Sequence, residues 1–372
     1  MKYISLFSGI EAASMAFTPL GWKPVAFSEI EPFPCAVLNH YYPDVPNLGD
    51  ITKVDWRKYR GHADLVCGGS PCQSFSIAGL HGGMLDERGN LALTYVRAVA
   101  AIRPKWIVYE NVPGMFSAPG NPFGCILAGL SGASAPLVPG TKDGKWRSAG
   151  IVSGPGYGLA WRILNAEFFG VAQQRKRIFV VGYLGDWRRA AQVLFNSKML
   201  RGDITAGGTE GQEVAGKSGI IIEANRRQNK NGIICMATGQ GGAEIMEDKA
   251  PTLNCNHEAP IVCGNLPLVM AFKQRPGGDI IQSEKAYTIS TTSNASAANT
   301  AKIQQGASVR RLTCTEVESA QGFPRNYTKI PYRGKTADMC PDSPRYKSIG
   351  NSWAVPCARW IGERIQAMEG IK

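Results

Sequence analysis

The stretch "YISLFSGIEAASMAF", residues 3–17, has the pattern of a strand, a tight loop and a helix. YISLF is a short apolar run that ends at Ser8-Gly9, and IEAASMAF can continue as a helix. We therefore predict a strand over 3–7 and a helix over 10–17.

The same alternation of strands and helices recurs along the chain. It predicts the α/β class with a parallel, doubly wound, Rossmann-like sheet. Residues 113–156 are rich in Gly, Pro, Ser and Ala, which predicts a long loop or insertion. Further strands are predicted at 24–29, 64–69, 106–112 and 178–184, and further helices at 32–42, 91–102, 157–169 and 355–368.

The composition changes near residue 185. Residues 201–308 are polar and rich in Gly, Asn and Thr, which indicates a second, smaller, β- and loop-rich domain. Within it, "GGAEIMEDKAPTL" (241–253) matches "GGDIIQSEKAYTI" (277–289) at a constant offset of 36. Two units of similar shape, near 236–253 and 270–289, explain the match, and chance is the alternative. We place the second domain at 187–340 and the first at 1–186, completed by 341–372.

The charge balance favours a polyanionic partner. Forty-one Lys and Arg against 29 Asp and Glu give a net charge of +12. Nucleic acid is the commonest polyanionic partner of a basic protein. The alternative is that the positive charge serves only solubility. No apolar run is long enough to predict a membrane span, and the N-terminus is a poor signal peptide. Ten cysteines and four histidines show no zinc spacing, so we expect reduced thiols, no metal and a cytoplasmic location.

Unusual residues stand at the carboxyl ends of the predicted strands: Phe7-Ser8-Gly9, Glu29, Cys72 and Glu110-Asn111. Ligands of doubly wound sheets bind at that edge, so these residues predict a site. The first loop lacks the GxGxxG spacing of a pyrophosphate cradle, and a nucleoside ligand needs less backbone clearance. Glu29 could hold ribose hydroxyls, and Asp50 could accept from an adenine amino group.

Cys72 lies in "GGSPCQSFSIAG" (68–79), where Pro71 fixes the backbone before it. Gly68-Gly69 would let the chain approach a ligand closely. A thiol is a good nucleophile only as the thiolate, which positive surroundings favour. The sequence therefore indicates a nucleophile, with a buried inert cysteine as the alternative.

Charged residues near two other strands suit the same chemistry. A carboxylate such as Glu110 is costly to bury unless it is paired, and burial would suit contact with a ring nitrogen that must become protonated. In "QQRKR" (173–177), an extended backbone would put Gln173, Arg175 and Arg177 on one face. Two guanidiniums there could bind a carbonyl oxygen or phosphate and help Cys72 ionise. A solvent-facing carboxylate and a solvated basic turn are the alternatives.

Taken together and in this order, these segments resemble the C5-cytosine DNA methyltransferase family. The resemblance covers about residues 1–184 and 308–372, leaving the repeat-bearing middle without a motif. It is carried by FSGIEAAS (7–14), Glu29, GDIT (49–52), GGSPCQSFS (68–76), ENV (110–112), QQRKR (173–177), RRLTCTEVESAQGFP (310–324) and GNSWAVP (350–356).

The resemblance implies methyl transfer from S-adenosylmethionine to C5 of a cytosine flipped out of double-stranded DNA. Cys72 would attack C6, Glu110 would hold protonated N3, and Arg177, with Arg175 nearby, would neutralise the O2 side. Asn111 belongs to the same implied catalytic set. The cofactor contacts carried over are Phe7, Ser8, Gly9, Ile10, Glu29, Asp50, Ile51, Pro71, Leu91 and Asn351. The DNA contacts carried over are Gln73, Ser76, Arg88, Thr252 and Thr288.

The chain departs from the family pattern at Glu11-Ala12-Ala13, where many members carry glycines, and we expect altered cofactor contacts there without loss of binding. The resemblance makes the middle segment the target-recognition region, with either Thr252 or Thr288 as its signature residue. It also implies a bacterial or phage-infected host and a monomer. A companion restriction endonuclease and stand-alone methylation both stay open.

Two other functions are weighed. A nucleotide-dependent oxidoreductase on the same sheet is disfavoured by the missing pyrophosphate spacing and by the Pro-Cys-Gln loop. A catalytically inactive DNA-binding relative is disfavoured because Cys72, Glu110, Arg175 and Arg177 are all present.

Overall fold

The structure, a computed structural model, describes residues 1–71, 91–171, 173–195 and 312–370, and the backbone of six short strands between 234 and 311. The chain divides into two compact units. Unit 1 comprises residues 1–164, 176–208 and 357–372, and unit 2 comprises residues 165–175 and 209–356. Within the described ranges, no helix is long and apolar enough to cross a membrane.

Unit 1 is built on a seven-stranded sheet in the order β2-β1-β3-β4-β7-β6-β5. The pairs β1–β2, β1–β3 and β3–β4 are parallel, whereas β4–β7 and β5–β6 are antiparallel. The predicted α/β, doubly wound, Rossmann-like class is confirmed. The predicted parallel arrangement holds for β2-β1-β3-β4, whereas β7 and the β5–β6 pair are antiparallel. The strands are β1 (Lys2–Leu6), β2 (Lys23–Ser28), β3 (Leu65–Gly68), β4 (Trp106–Asn111), β5 (Ala149–Val152), β6 (Tyr157–Asn165) and β7 (Lys176–Leu184).

Helices cover the sheet, and their apolar faces bury its central strands. Leu6 of β1, Val66 of β3 and Ile107 of β4 are each fully buried. A strand that is covered on both faces has apolar residues at successive positions. This pattern allowed the central strands to be predicted from the sequence. The described helices of the chain are α1 (Ala12–Phe17), α2 (Pro32–Tyr41), α3 (Leu91–Ile102), α4 (Pro122–Ser131), α5 (Trp187–Leu194), α6 (Cys314–Ala320), α7 (Asp342–Asn351) and α8 (Val355–Glu369).

The helix predicted over 157–169 is wrong. Residues Tyr157–Asn165 form strand β6, followed by a single 3₁₀ turn at Ala166–Phe169. The strand is buried from Tyr157 to Trp161, so its apolar run lacks the alternation that separates strand from helix. Gly158 fits this place because a Cβ there would lie 2.0 Å from the backbone nitrogen of Trp187.

The long loop predicted over 113–156 is also wrong. This stretch contains a 3₁₀ turn at Pro113–Phe116, helix α4 and strand β5. Asn121 caps α4 by accepting the N–H of Gly124 at 3.2 Å, and Gly132 ends it with φ 78°. An Asn-Pro start and a Gly end are ordinary helix signals, but the high content of Gly, Pro and Ser concealed them.

Unit 2 contains an antiparallel four-stranded sheet, in the order β13-β10-β8-β9, and an antiparallel pair, β11–β12. The two copies of the predicted repeat each contain the second strand of an antiparallel pair, β9 in the first copy and β12 in the second. The strands are β8 (Ile234–Met236), β9 (Ile245–Glu247), β10 (Ile261–Cys263), β11 (Ala271–Gln274), β12 (Ile280–Ser283) and β13 (Val309–Arg311).

The boundaries of the two structural units differ from the domain boundaries predicted at residues 186 and 340. Helix α5 belongs to unit 1, where Arg364 of α8 donates to the carbonyl oxygens of Val193 and Phe195. Residues 341–356 belong to unit 2, where Arg345 forms a buried ion pair with Glu318 at 3.3 Å. The functional roles assigned to 1–186 and 187–340 stay predictions.

Candidate active site

The loop after β1 is fixed by its own backbone and by Ser8. Phe7 and Gly9 both take the left-handed conformation, with φ of 52° and 56°. Ser8 Oγ donates to the carbonyl oxygen of Ser5 at 2.8 Å and accepts the N–H of Ser28 at 3.2 Å. This ties the end of β1 to the end of β2. A Cβ at Gly9 would meet no atom within 4 Å, so the loop borders open space there.

Glu29 is half-buried just beyond β2, and backbone N–H groups hold its carboxylate from two sides. Oε2 accepts from Gly9, and Oε1 accepts from Ile30 and from Glu31, each at 2.8 Å. A carboxylate fixed in this way is an oriented acceptor for hydroxyl groups. This geometry suits the predicted contact with a ribose.

Asn47 joins the Glu29 segment to the next loop and was not among the predicted site residues. Its Oδ1 accepts the N–H of Glu29 at 3.0 Å and that of Gly49 at 3.2 Å, while Nδ2 donates to the Glu29 carbonyl at 3.1 Å. Its place in the short turn Pro-Asn-Leu-Gly was the available signal, because Asn side chains bind nearby backbone in turns.

Asp50 closes a turn with its own neighbours. Its Oδ1 accepts from Thr52 Oγ1 at 2.7 Å and from Thr52 N at 2.9 Å, and these hydrogen bonds lower the pKa of Asp50 below its ordinary value. Ile10 and Ile51 are core residues with 0% and 5% exposure. The assignment of all three to cofactor binding stays a prediction.

Glu11 is a fully buried carboxyl group in the first loop, with a left-handed backbone at φ 65°. Its Oε1 accepts from both the backbone N–H and the Oγ of Ser14 at 3.0 Å, which caps α1. Burial raises the pKa of Glu11 to about 7, partly offset by hydrogen bonds from Ser5 and Ser14. A left-handed backbone of this kind is adopted most readily by glycine.

Glu11→Gln should stabilise the protein above about pH 7 and change little below pH 4.5. The folded chain keeps the Glu11 proton up to about pH 7, whereas the unfolded chain releases it near 4.5. The wild type therefore loses stability as the pH rises between these values, by roughly 3 kcal/mol, and glutamine never ionises. Urea unfolding of both proteins from pH 5 to 8 measures this, and a difference independent of pH would contradict it.

Glu110 and Arg177 form an ion pair at the end of β4. The Nε of Arg177 lies 3.1 Å from Oε1 of Glu110, and the two side chains are only 13% and 11% exposed. Glu110 stands opposite Phe179 in the antiparallel β4–β7 pair, and Arg177 lies two residues before Phe179. Both therefore project from the same face of the sheet as diagonal neighbours. The ion pair with Arg177 offsets the free-energy cost of burying the Glu110 carboxylate.

The glycines before Cys72 accommodate the neighbouring strands. A Cβ at Gly68 would lie 2.4 Å from the carbonyl oxygen of Leu6, and one at Gly69 would lie 2.6 Å from that of Glu110. The structure shows a close approach of this pair to the backbone of β1 and β4, whereas the close approach to a ligand stays a prediction. It brings the chain directly against Glu110.

Asn111 anchors the same segment from the other face of β4. Its Nδ2 donates to the carbonyl oxygen of Ser70 at 3.2 Å and to the hydroxyl of Tyr109 at 2.8 Å. The hydroxyls of Tyr109 and Ser70 are themselves hydrogen-bonded at 2.8 Å. All three residues are buried. Tyr109 and Ser70 were missed, although Tyr109 is two residues from Asn111 and so on the same face of a strand.

Arg175 has different partners from Arg177. It is 2% exposed, and its guanidinium donates to the carbonyl oxygens of Gly350 at 2.9 Å and Ser352 at 2.7 Å within unit 2. Arg175 therefore binds the C-terminal end of helix α7, a contact that was not predicted from the extended segment.

Three further predicted residues differ in their exposure to solvent. Leu91 is half-buried at the first position of α3, whereas Pro71 and Asn351 are exposed. Six predicted residues lie outside the described residues and stay predictions: Cys72, Gln73, Ser76, Arg88, Thr252 and Thr288.

Comparison with known proteins matches residues 1–130 and 152–367 to the family described as C-5 cytosine-specific DNA methylase. The chain belongs to this family. The chain is 35% identical over 479 residues to a protein of Escherichia phage P1 named DNA N-6-adenine-methyltransferase, covering 98% of this chain and 61% of that one. It is 37% identical over 190 residues to the type II methyltransferase M.AquIA of Picosynechococcus, covering 49% of this chain and 71% of that one.

The fold of the chain is similar to that of solved structures. It aligns with the Dnmt2 methyltransferase of S. pombe at a TM-score of 0.53 and 15% identity, over 99% of both chains. It aligns with the methyltransferase EhMeth of Entamoeba histolytica at a TM-score of 0.54 and 14% identity, over 100% of this chain and 99% of that one. The chain spans about three fifths of the length of the phage P1 relative.

Proposed function

We propose that the chain is a DNA (cytosine-5-)-methyltransferase, which moves a methyl group from S-adenosylmethionine to C5 of a cytosine flipped out of a specific duplex sequence. The observation that carries the proposal is the Glu110–Arg177 ion pair, with Gly69 packed against Glu110. Cys72 follows Gly69 by three residues. Only Ser70 and Pro71 therefore separate the proposed nucleophile, Cys72, from the glycine that packs against the charge-stabilising pair.

The chemistry assigns each side chain a different task. Cytosine C5 is too weakly nucleophilic to accept a methyl group directly. The Cys72 thiolate adds to C6, and the π electron pair of the C5=C6 double bond shifts to C5 and, by conjugation through C4, towards N3, where Glu110 holds the proton. The resulting enamine has a nucleophilic C5, which can accept the methyl group. Arg177 stabilises charge on the O2 side. Once C5 carries the methyl group, it loses its proton and the sulfur–C6 bond breaks, which restores Cys72.

S-adenosylmethionine supplies a methyl group on a positively charged sulfur. The residues of the first loop fit such a ligand, because the carboxylate of Glu29 is fixed by backbone N–H groups and Gly9 borders open space. Glu29 would hold the ribose hydroxyls, and Phe7 and Ser8 would border the nucleoside. The ligand has no pyrophosphate, so the absent GxGxxG spacing carries no penalty.

Tyr109→Phe should lower the turnover number about tenfold, because the Tyr109 hydroxyl links Asn111 to the segment that precedes Cys72. Loss of a buried hydrogen bond worth about 1–1.5 kcal/mol loosens the position of the nucleophile. Steady-state methyl transfer should show a lower kcat with KM for S-adenosylmethionine unchanged. Ser70→Ala should have a similar effect, and the double variant should be no slower than either single variant.

Tyr95→Phe is the matched control for Tyr109→Phe. The Tyr95 hydroxyl is buried and donates to the carbonyl oxygens of Val108 at 3.2 Å and Val66 at 3.5 Å, which lie in the middle of β4 and β3. It should lose similar stability and keep kcat. Equal losses of kcat in the two variants would show that Tyr109 acts through general stability alone.

A second candidate is methylation of adenine N6, which is favoured by the name of the phage P1 relative, DNA N-6-adenine-methyltransferase. The adenine amino nitrogen needs no thiol adduct, so Cys72 would have no part in that reaction. Mass spectrometry of nucleosides from DNA of expressing cells separates the two. We expect 5-methyl-2′-deoxycytidine, and N6-methyl-2′-deoxyadenosine in its place would overturn the proposal. Bisulfite sequencing of the same DNA then gives the target sequence.

The middle of the chain, residues 187–340, is proposed to select that sequence in double-stranded DNA. Its support is the family resemblance of the flanking segments and the net charge of +12. Exchange of 187–305 for the matching segment of a relative should transfer the methylation target with it. Bisulfite sequencing measures the outcome, and an unchanged target would place recognition elsewhere.

A further inference from the structure

A short basic hairpin in unit 2 lies outside the chemistry described so far. Tyr332 and Lys335 exchange two backbone hydrogen bonds at 3.1 Å around Arg333 and Gly334, a two-residue turn that we call the basic hairpin. Its two central residues have φ of 51° and 75°. Two positive φ values at these positions are the mark of a type I′ turn.

Arginine is an unusual residue at the first central position of this turn. Asn, Asp and Gly lead there because they accept a positive φ, and a long side chain such as Arg333 does so with strain. Departures from turn chemistry concentrate where a side chain serves a function. The side chain of Arg333 lies over the ring of Tyr332, with 5.2 Å between Cζ and the ring centroid. This contact holds the guanidinium at the tip of the hairpin.

The cations of the basic hairpin are available to a partner. Arg333 and Lys335 are exposed, and within the described part of the chain neither forms an ion pair with a carboxylate. The segment 324–340 carries four basic residues and a single acidic one, Asp338, which pairs with Lys329 at 2.6 Å. A hollow of about 450 Å³ is lined by residues 331–337.

The base of the hairpin is firmly held. Glu318 of α6 accepts from the N–H of Thr328 at 2.8 Å and forms the buried ion pair with Arg345 of α7. Arg345 also donates to the hydroxyl of Thr328 at 3.0 Å. A cation on a rigid support loses less conformational entropy on binding than one on a free tail.

We propose that the basic hairpin binds the phosphate backbone of duplex DNA through Arg333 and Lys335. The inference rests on the proposed function, because it takes DNA as the substrate. Contacts to phosphate fix the register of a protein on DNA without reading its sequence, and exposed cations on a rigid turn suit that task. The net charge of the chain, +12, supports a polyanionic partner of this kind.

The experiment compares the full chain with Arg333→Asn/Lys335→Gln by fluorescence anisotropy on a labelled 30-base-pair duplex of arbitrary sequence, between 50 and 200 mM NaCl. Each phosphate contact contributes about 0.9 to the slope of log Kd against log salt, so the slope should fall by about 2. Affinity at 100 mM salt should fall about tenfold. Asn suits a positive φ better than Arg, so the melting temperature should stay equal or rise while DNA binding weakens.

Two controls separate local contacts from net charge. Lys2→Gln/Lys23→Gln removes the same charge from exposed positions at the N-terminal ends of β1 and β2, and its salt slope should stay within about 0.5 of the wild-type value. Arg333→Lys/Lys335→Arg keeps both charges and should bind like the wild type. An unchanged slope in Arg333→Asn/Lys335→Gln, or an equal loss in the Lys2/Lys23 variant, would overturn the inference.

Failure of the proposed function is recognised separately. If the wild type binds the duplex with a hairpin-dependent slope and yields no methylated cytosine, the hairpin inference stands and the assigned reaction falls. If the wild type methylates cytosine and the hairpin variant keeps its slope, the inference alone falls.

Discussion

Replacement of Cys72 by alanine is expected to slow methyl transfer by roughly 10⁴-fold or more. Without the sulfur, no adduct forms at C6, and C5 never becomes nucleophilic enough to accept the methyl group. The transfer of tritiated methyl from S-adenosylmethionine to DNA measures the loss. The affinities for the cofactor and for duplex DNA should stay within about threefold of the wild type, because the sulfur supplies little binding energy before it reacts.

A covalent trap tests the same sulfur directly. DNA with 5-fluorocytosine at the target should form a denaturation-resistant complex with the wild type, because fluorine blocks the loss of a C5 proton and the sulfur–C6 bond then persists. Cys67→Ala is the matched control. Cys67 lies in β3 with no exposure, and burial raises its thiol pKa well above the ordinary value. That variant should trap DNA and Cys72→Ala should not, whereas wild-type turnover in Cys72→Ala would refute the assignment.

Much of the first domain could be predicted because its elements carry local signals. Helix α3 begins and ends at the predicted residues, Leu91 and Ile102. Strands β1, β3 and β4 were found within one or two residues at each end, since burial on both faces makes them continuous apolar runs. The predicted site residues Glu29 and Glu110 do lie at strand ends, as the carboxyl-edge argument requires.

Features that depend on distant pairing could not be predicted in this way. The antiparallel direction of β7 follows from which strand it meets, and β6 was mistaken for a helix because its burial removed the two-residue alternation. Arg175 finds its carbonyl partner at Gly350, 175 residues away. The partner of Arg177 follows from the register of β4 against β7, which no local pattern encodes.

In the proposed reaction, the Glu110 that this register pairs with Arg177 is the residue that stabilises the charge at N3. Glu110→Gln should lower kcat about 10²–10³-fold near pH 7, because the amide keeps the shape of the side chain but supplies no negative charge to the protonated ring nitrogen. KM for S-adenosylmethionine should change little. Steady-state methyl transfer gives both constants. The variant should also lose about 2–4 kcal/mol of stability, since it leaves the 13%-exposed Arg177 without its carboxylate.

A double-mutant cycle separates this chemistry from the loss of the ion pair. Glu110→Gln/Arg177→Gln removes both charges, so its free energy of unfolding should recover towards the wild-type value, because no buried charge is left unpaired. Its kcat should stay as low as that of Glu110→Gln or fall further, because neither the N3 proton nor the O2 side is then stabilised. Recovery of kcat together with stability would mean that the pair only supports the fold. Stability that recovers while kcat stays low would place Glu110 on the substrate.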